Sequence, residues 1–399
     1  MTQVPEGSIG SNPPKADRPV VLQVVPDLQD GGLQRSAVDV TEALTAAGWT
    51  AVVASAGGPL EHRLTRAGAV HEVVPLASRN PASIYNNIQR LMDIIQRHRV
   101  DIVHARARAP GWSALTAAQR SRCHFVTSVH VAYPGGNPLQ RRYNAVLAKG
   151  ERVIAASHFI ADYLRENHSI DPTRMRLIRR GIDIRVFSPD TVSNERLIKR
   201  INDWRLPDGL PVVMLPGRLE RRKGQAQLLE AVAQLGDLDF VCLLVGGEPA
   251  RGGSRGELEA LIKRHDLGHR CVILDHCDDM PAAYKVANVV VYASTEPPCF
   301  ARTISEAQAM GRPVVAVDHG GTGEQVIAGH TAFLAKPNDP AGLASGIRRA
   351  LALSEEERER LAEEAITFTR RHHSREEMCS QTLALYEEVL RQTLTAAAS

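Results

Sequence analysis

A chain of 399 residues exceeds what one hydrophobic core ordinarily serves, so two domains are expected. Its 43% hydrophobic and 23% charged residues are the balance of an ordinary globular protein, and no apolar run approaches the roughly 18 residues needed to cross a bilayer. The net charge of +3 hides an asymmetry: residues 1–190 hold 23 Lys/Arg against 16 Asp/Glu, whereas the remainder holds 25 against 29. A basic first half fits an anionic partner or surface, with chance divergence as the alternative. Six cysteines without a C-x-x-C pair argue against zinc or a disulfide framework and for reduced thiols in a cytosol.

Residues 1–18, rich in Pro, Gly and Ser, read as a disordered tail and not as a signal peptide. From Val20 onward, short β-branched runs alternate with helical patterns. Strands are expected at Val20–Val25, Thr50–Ser55, Ile102–Ala105, Phe125–Val129 and Val153–Ala156. Helices are expected at Leu33–Ala47 and at Ala82–Gln96, where Ile84, Ile88, Leu91 and Ile95 recur at helical spacing. The alternation predicts a parallel sheet covered on both faces over residues 19–190. Pro189, Asp190, Pro207 and Gly209 punctuate a polar stretch read as a linker over 191–210. Alternation restarts over 211–374, with strands at Val212–Leu215, Phe240–Val245, Cys271–Leu274, Val289–Tyr292 and Pro313–Val317. A last helix within 375–399 carries no recognisable chemistry and is expected to pack back on the first domain. The fold class is therefore α/β, with two doubly wound parallel sheets in tandem.

Ligands of such sheets bind beyond the carboxyl ends of the strands, so the loops there hold the candidate residues. Gly31 and Gly32 follow the first strand and open a helix, where free N–H groups attract an anion; a plain turn is the alternative. His130 closes the strand Phe125–Val129 on the cleft side, and His104 stands similarly but more weakly. Leu215-Pro-Gly217-Arg218 leads to Lys223 ahead of a helix. Gly217 permits a tight exit, and Arg218 and Lys223 offer a planar fork and a mobile charge suited to a diphosphate. Arg221 and Arg222 read as a solvated basic loop. The segment Ser294 to Pro313 includes Glu296, Phe300, Ala301 and Arg302 before a helix near Thr303, whose amides can hold an anion. Glu306 in its first turn can accept hydrogen bonds from a diol such as ribose.

Together the Gly31-Gly32 loop, Arg180-Gly181-Ile182-Asp183, Arg218 with Lys223, and the Glu306-to-Pro313 helix resemble glycosyltransferase family 4, over about Val20 to Tyr386. The resemblance implies a GT-B fold, two Rossmann-like domains facing a cleft. It also implies retaining transfer of a hexosyl-type sugar from a UDP-, GDP- or ADP-sugar, with no cofactor and no metal. Arg218 and Lys223 would hold the donor diphosphate and Glu306 the ribose, with Gly32 against a phosphate and His130 near the transferred sugar. His130, Arg218 and Lys223 are the catalytic candidates. Gly31, Gly217, Phe300, Ala301 and Arg302 complete the donor-binding set. Pro298 stands where the family's first Glu belongs, and Ala301 replaces a Gly. Glu296, two residues early, is the candidate sugar contact.

A cytoplasmic enzyme of cell-envelope polysaccharide or lipopolysaccharide synthesis is the implied setting, acting on a saccharide or lipid-linked acceptor. Leu139 to Lys149 mixes basic and apolar residues and suits peripheral contact with anionic lipid at the inner face of the membrane; an ordinary amphipathic helix is the alternative. The basic half lacks interleaved aromatics, so nucleic acid is not expected. Other enzyme readings are a sugar-nucleotide-binding relic, a nucleotide-sugar epimerase and, on the weak match at Gly321-Thr-Gly323, an NAD-dependent oxidoreductase.

Overall fold

The computed structural model describes residues 18–29, 31–78, 80–133, 136–249 and 252–397; the expected tail, apart from Arg18, lies outside them. The first domain is a seven-stranded parallel sheet of β1 (Val20–Val24), β2 (Thr50–Ser55), β3 (Val70–Val73), β4 (Ile102–Ala105), β5 (His124–Val129), β6 (Arg152–Ala155) and β7 (Met175–Leu177). Its helices are α1 (Gly32–Ala46), α2 (Glu61–Arg66), α3 (Pro81–His98), α4 (Arg108–Ser121), α5 (Pro138–Asn144) and α6 (His158–His168).

The second domain opens with α7 (Asn194–Asp203) and then alternates: β8 (Val212–Pro216), α8 (Gln225–Val232), β9 (Val241–Val245), α9 (Arg255–Arg264), β10 (Cys271–Leu274), α10 (Met280–Val286), β11 (Val289–Tyr292), α11 (Arg302–Ala309) and β12 (Val314–Val317). It finishes with β13 (Ala332–Ala335), α12 (Pro340–Leu351) and α13 (Glu355–His372), after which α14 (Arg375–Ala397) ends the described chain. The sheet orders are β3-β2-β1-β4-β5-β6-β7 and β10-β9-β8-β11-β12-β13. All pairings in the second sheet are parallel as well.

Strand periodicity explains how one run serves two cores. In β1, Leu22 and Val24 pack with Leu91, Ile94 and Ile95 of α3 and with the alanines of α4. Val21 points the other way, toward Val40 and Leu44 of α1 and Met378, Leu385, Tyr386 and Val389 of α14, as alternation of side chains along a strand requires. Thus α14, though last in the chain, completes the core of the first domain. Burying each of its large apolar side chains contributes about 1.5–3 kcal/mol. The Tyr386 hydroxyl also meets His104 Nδ1 at 2.5 Å, while His104 Nε2 lies 2.7 Å from the Ser128 hydroxyl. Both nitrogens of His104 are therefore satisfied inside the core, so its role is structural and not that of a site residue.

One further expectation changes. The polar stretch 191–210 is not an open linker: Ser193 caps α7, and Arg196 on it forms a bidentate pair with Asp279 at the start of α10. That helix belongs to the second domain. The chain instead crosses between domains at residues 178–187 and again near 372–375. These crossovers pair with each other, Ile182 N–H donating to His373 O at 2.9 Å and Arg375 N–H to Ile182 O at 2.8 Å. A side chain at Gly181 would run into the Ser374 carbonyl, which is why glycine stands there. Beyond the crossovers, Glu324 of the second domain accepts hydrogen bonds at 2.7 Å from His158 N and Phe159 N. Its carboxylate thereby satisfies two of the free amides at the α6 N-terminus, where a negative charge is favoured.

His104, His130 and His373 are all buried, and that burial holds each imidazole below its ordinary pKa, His373 at about 3. Below about pH 6.5 the unfolded chain binds protons at these positions while the folded chain does not, so stability falls as pH falls. The urea midpoint is expected to drop between pH 7.5 and 5, at up to about 1.4 kcal/mol per pH unit for each histidine. His373 lies between the rings of Phe300 and Phe368, at 5.7 and 5.6 Å. His373→Phe should flatten that slope by one proton's worth; an unchanged slope would show that His373 titrates normally.

Candidate active site

Each sheet reverses its strand order beside its first strand. The reversal leaves a crevice between the loops after β1 and β4, and another between those after β8 and β11. Loops leaving adjacent strands in opposite directions cannot cover the strand ends, so groups lining the crevice remain open to a ligand. The candidate residues fall mostly on these loops.

In the first domain, α1 starts at Gly32 with Gly31 as its N-cap. The Gly31 amide donates to Gln29 O at 2.8 Å, so the ligand-facing end of this helix begins at Gly32. A side chain at Gly32 would collide with the guanidinium of Arg180. Next to this crevice, His130 follows β5 and is 8% exposed, and neither ring nitrogen has a hydrogen-bond partner. Burial, with the charges of Arg180 and Arg106 added to it, holds His130 well below the ordinary imidazole range. The ring is thus neutral, able to donate from one nitrogen and accept at the other.

In the second domain, Gly217 and Arg218 leave β8. The Gly217 amide is occupied by Val245 O at 2.8 Å, and the stem of Lys223 lies against this glycine. Arg218 Nε and Arg222 Nη2 both meet Glu220, at 2.9 and 2.5 Å. The Arg218 side chain remains 63% exposed, so its outer nitrogens stay available. Arg221 pairs with Glu257 on the surface. Arg222 has a further role, because its carbonyl accepts from Ser294 Oγ and Thr295 N, at 3.0 Å each, which ties the β8 and β11 loops together. Burial, ahead of the Arg222 charge, lowers the Lys223 pKa. Glu296 is exposed on the β11 loop, and its charge opposes that shift at Lys223.

Glu306 lies on α11 facing the same crevice. Its Oε2 accepts from the Tyr284 hydroxyl at 2.9 Å and its Oε1 from Arg302, at 3.1 Å from Nε and 2.8 Å from Nη2. Three donors, two of them from Arg302 on Oε1, fix the carboxylate, and Oε2 keeps a lone pair for a diol. The helix begins at Arg302, one residue before the expected start. Gln325 corrects one assignment: its Oε1 takes the Ala301 amide at 2.6 Å and its Nε2 reaches Ala301 O and Ser305 Oγ, both at 3.0 Å. Ala301 N–H is therefore engaged by the protein and is not a free donor for a ligand. Phe300 lies half-buried, with Arg180 Cζ 5.8 Å from its ring centre.

Arg180, Arg106, Tyr284 and Gln325 were missed as site elements in the sequence. The Arg180-Gly181 motif was visible, but nothing local places its side chain against Gly32, about 150 positions earlier. Tyr284 and Gln325 sit about 20 residues from the groups they hold, on elements whose own patterns signal only packing.

Two family models match the chain, one described as glycosyl transferases group 1 over residues 198–368 and one as glycosyltransferase family 4 over residues 30–186. A D-inositol 3-phosphate glycosyltransferase of Catenulispora acidiphila is 31% identical over 271 residues, 62% of this chain and 63% of that protein. The chain thus matches less than two thirds of that relative's length. A glycosyltransferase structure from Rickettsia africae is 32% identical, with a TM-score of 0.88 over 94% of this chain and 99% of that one. The Anabaena protein HepE in complex with UDP-glucose shares the fold at a TM-score of 0.79 and 22% identity, over 92% of this chain and 99% of that one. With two parallel-sheet domains, a family model matching each, and a relative 32% identical over nearly its whole length, the chain belongs to the GT-B glycosyltransferases of family 4.

Proposed function

We propose that the chain transfers a sugar from a nucleoside-diphosphate sugar to a hydroxyl of a saccharide or lipid-linked acceptor, with retention at the anomeric carbon and without a metal. What carries the reading is the meeting of two kinds of group across one cleft. Arg218, Lys223 and Glu306 face it from the second domain, with Gly32 and the neutral His130 opposite. Breaking the glycosidic bond builds charge on the leaving diphosphate, and fixed cations stabilise it more as that charge grows. The acceptor hydroxyl attacks from the leaving-group face and passes its proton to a donor phosphate oxygen. No carboxylate pair of the glycosidase kind is then required, in keeping with Pro298 in place of a Glu. Glu296, beside Lys223, is the candidate contact for the sugar hydroxyls. The nucleotide-sugar part draws support from the UDP-glucose bound to the Anabaena fold neighbour.

For the acceptor side, the proposed setting is a cytoplasmic enzyme of envelope saccharide synthesis that meets the membrane through the α3–α4–α5 face. A groove of about 390 Å³ there is lined by Ile84, Ile88, Trp112, Leu139, Arg142 and Tyr143. Leu139 is 77% exposed, and Arg141 and Arg142 are exposed beside it. Apolar side chains rimmed by cations suit an anionic lipid surface. Among the described residues no helix is long and apolar enough to cross a membrane.

Three measurements bear on these assignments. Calorimetric titration with UDP, GDP and ADP should find one that binds the wild type, and Arg218→Ala/Lys223→Ala should weaken it by at least about 100-fold. Retained affinity in a folded double variant would remove the diphosphate grip from the scheme. Tyr284→Phe, which takes one donor from Glu306, should weaken the same nucleotide by about fivefold, while leaving inorganic pyrophosphate unaffected. At low salt the protein should co-sediment with vesicles containing phosphatidylglycerol, and Arg141→Glu/Arg142→Glu should reduce that partitioning by at least about tenfold. Equal partitioning of both proteins would reject the membrane face.

A further inference from the structure

We infer that the acceptor is an amphiphile: its apolar chain lies in the α3–α4–α5 groove, a phosphate joining that chain to a saccharide is held by Arg108, and the saccharide reaches the cleft past Tyr133. The inference rests on the glycosyl-transfer reading and names the acceptor class for it.

Arg108 opens α4 after the β4 loop, with Ala107 as its N-cap, and Tyr133 lies three residues beyond His130 in the loop after β5. Both loops leave the carboxyl edge of the first sheet, where its ligands bind. The guanidinium carbon of Arg108 lies 3.3 Å from the centre of the Tyr133 ring and 5.6 Å from that of Tyr143. Its Nη1 donates to Asn144 Oδ1 at 2.5 Å, a neutral partner. Among the described residues no carboxylate pairs with Arg108, whereas Arg63, Arg152 and Arg176 of the same domain each have one. A half-buried guanidinium laid flat on an aromatic face keeps its charge and the edge of its donor fork for an anion.

This cluster bridges the apolar groove and the cleft. On the groove side, Trp112 follows Arg108 by one turn of α4, and its Nε1 donates to Tyr143 O at 3.2 Å. The side chains of Trp112 and Tyr143 line the groove together with Ile88 and Leu139. On the cleft side, Cys299 of the β11 loop packs on the first-domain core, close enough to Tyr133 to act on its hydroxyl. Tyr163 steadies the link: its hydroxyl takes the Tyr133 amide and meets His168 Nε2 at 3.2 Å. Apolar surface, cation and cleft thus follow one another along a single path.

That order of chemistries selects the ligand. A free saccharide would leave the groove uncovered, with Leu139 77% exposed, and apolar side chains gathered in one exposed groove mark a contact. A neutral glycolipid would cover the groove but leave Arg108 without a counter-charge, and a cation is costly to desolvate unless an anion meets it. A phosphate between chain and saccharide answers both needs, because the planar fork of arginine can take two of its oxygens. Tyr133, between Arg108 and the His130 end of the loop, then places the saccharide on the cleft side of the phosphate. The acceptor's chain enters from the face that meets the bilayer, while Arg141 and Arg142 at the rim are left for lipid headgroups.

The test takes the full-length protein, saturated with the nucleoside diphosphate that binds it, and titrates in decyl phosphate, decyl glucoside or inorganic phosphate. The two decyl compounds are kept below their micelle concentrations. Calorimetry should show decyl phosphate binding at least about tenfold more tightly than either of the others, the worth of one charge-assisted hydrogen bond. Arg108→Gln should bring decyl phosphate down to the level of decyl glucoside. Arg108→Lys, which keeps the charge without the stack, should restore part of the difference. Leu139→Ser should weaken both decyl compounds alike, by about fivefold, and leave inorganic phosphate unchanged. Nucleoside diphosphate affinity should stay within about threefold in all three variants. Decyl phosphate bound no more tightly than decyl glucoside by the wild type overturns the inference, even where a variant fails to fold. So does a preference that survives Arg108→Gln but is lost in Arg141→Glu/Arg142→Glu, which would give the groove to membrane lipid. A wild type that binds no nucleoside diphosphate would instead bring down the transfer reading, and this inference with it.

Discussion

The reversal of strand order beside β1 and again beside β8 is the constraint from which the rest of the molecule follows. A parallel strand needs a crossover helix, and crossovers are right-handed, so helices on either side of the reversal lie on opposite faces of the sheet. The loops at that point separate and leave backbone and side chains uncovered. Having the same reversal in both sheets, with the carboxyl edges facing, gives one cleft with two complementary walls. The neutral imidazole of His130 and the glycine start of α1 supply a wall with little carboxylate. The β8 loop supplies the cations Arg218 and Lys223, and α11 the carboxylate of Glu306, held by Tyr284 and Arg302. Chemistry that needs a charged leaving group and a protected hydroxyl fits between such walls.

Local bonding then makes the walls rigid at the scale that catalysis needs. Arg222 ties two loops through its carbonyl, Gln325 occupies the Ala301 amide and holds the helix start, and Tyr284 fixes Glu306 from behind. None of these three groups need touch a ligand. Each removes a degree of freedom from the candidate site, so less entropy would be lost on binding a ligand there. Glu324 acts between the walls and not within one: its carboxylate, seated on the α6 amides, ties the Gly-rich loop after β12 to the first domain.

Much of this was legible in the chain itself. Runs such as Val20–Val24 and Val289–Tyr292 are buried on both faces, so they are continuous and β-branched, and they stand out. Arg218 stands out as a candidate because it directly follows β8, and Glu306 because it lies near the start of the helix after the β11 loop. The edge strands β3 and β13 and the short β7 were not, because Val-His-Glu-Val and Met-Arg-Leu mix polarities and Ala-Phe-Leu-Ala reads equally as helix. Around α7, the polar stretch closed by Pro207 and Gly209 has the composition of a linker, although Ser193 caps the helix and Leu197 and Ile201 within it keep helical spacing. His104 shows the deeper limit. Its place at a strand end suggested chemistry, but Tyr386, nearly 300 residues later, settles it as a core residue. Pairings across such distances leave no local trace.

The return of α14 to the first domain bears on the order in which the molecule is made. The first domain is synthesised first, yet the face of its sheet that includes Val21, Ile102 and Val126 is covered only in part, by α1, until α14 has left the ribosome. The second domain carries its own sheet and helices to completion before that. The two crossovers also pair with each other, so the partner of Ile182 arrives only with residues 373–375. The natural order of maturation is therefore inverted, with the leading domain closing last, and the nascent chain carries a half-covered apolar face for most of its translation.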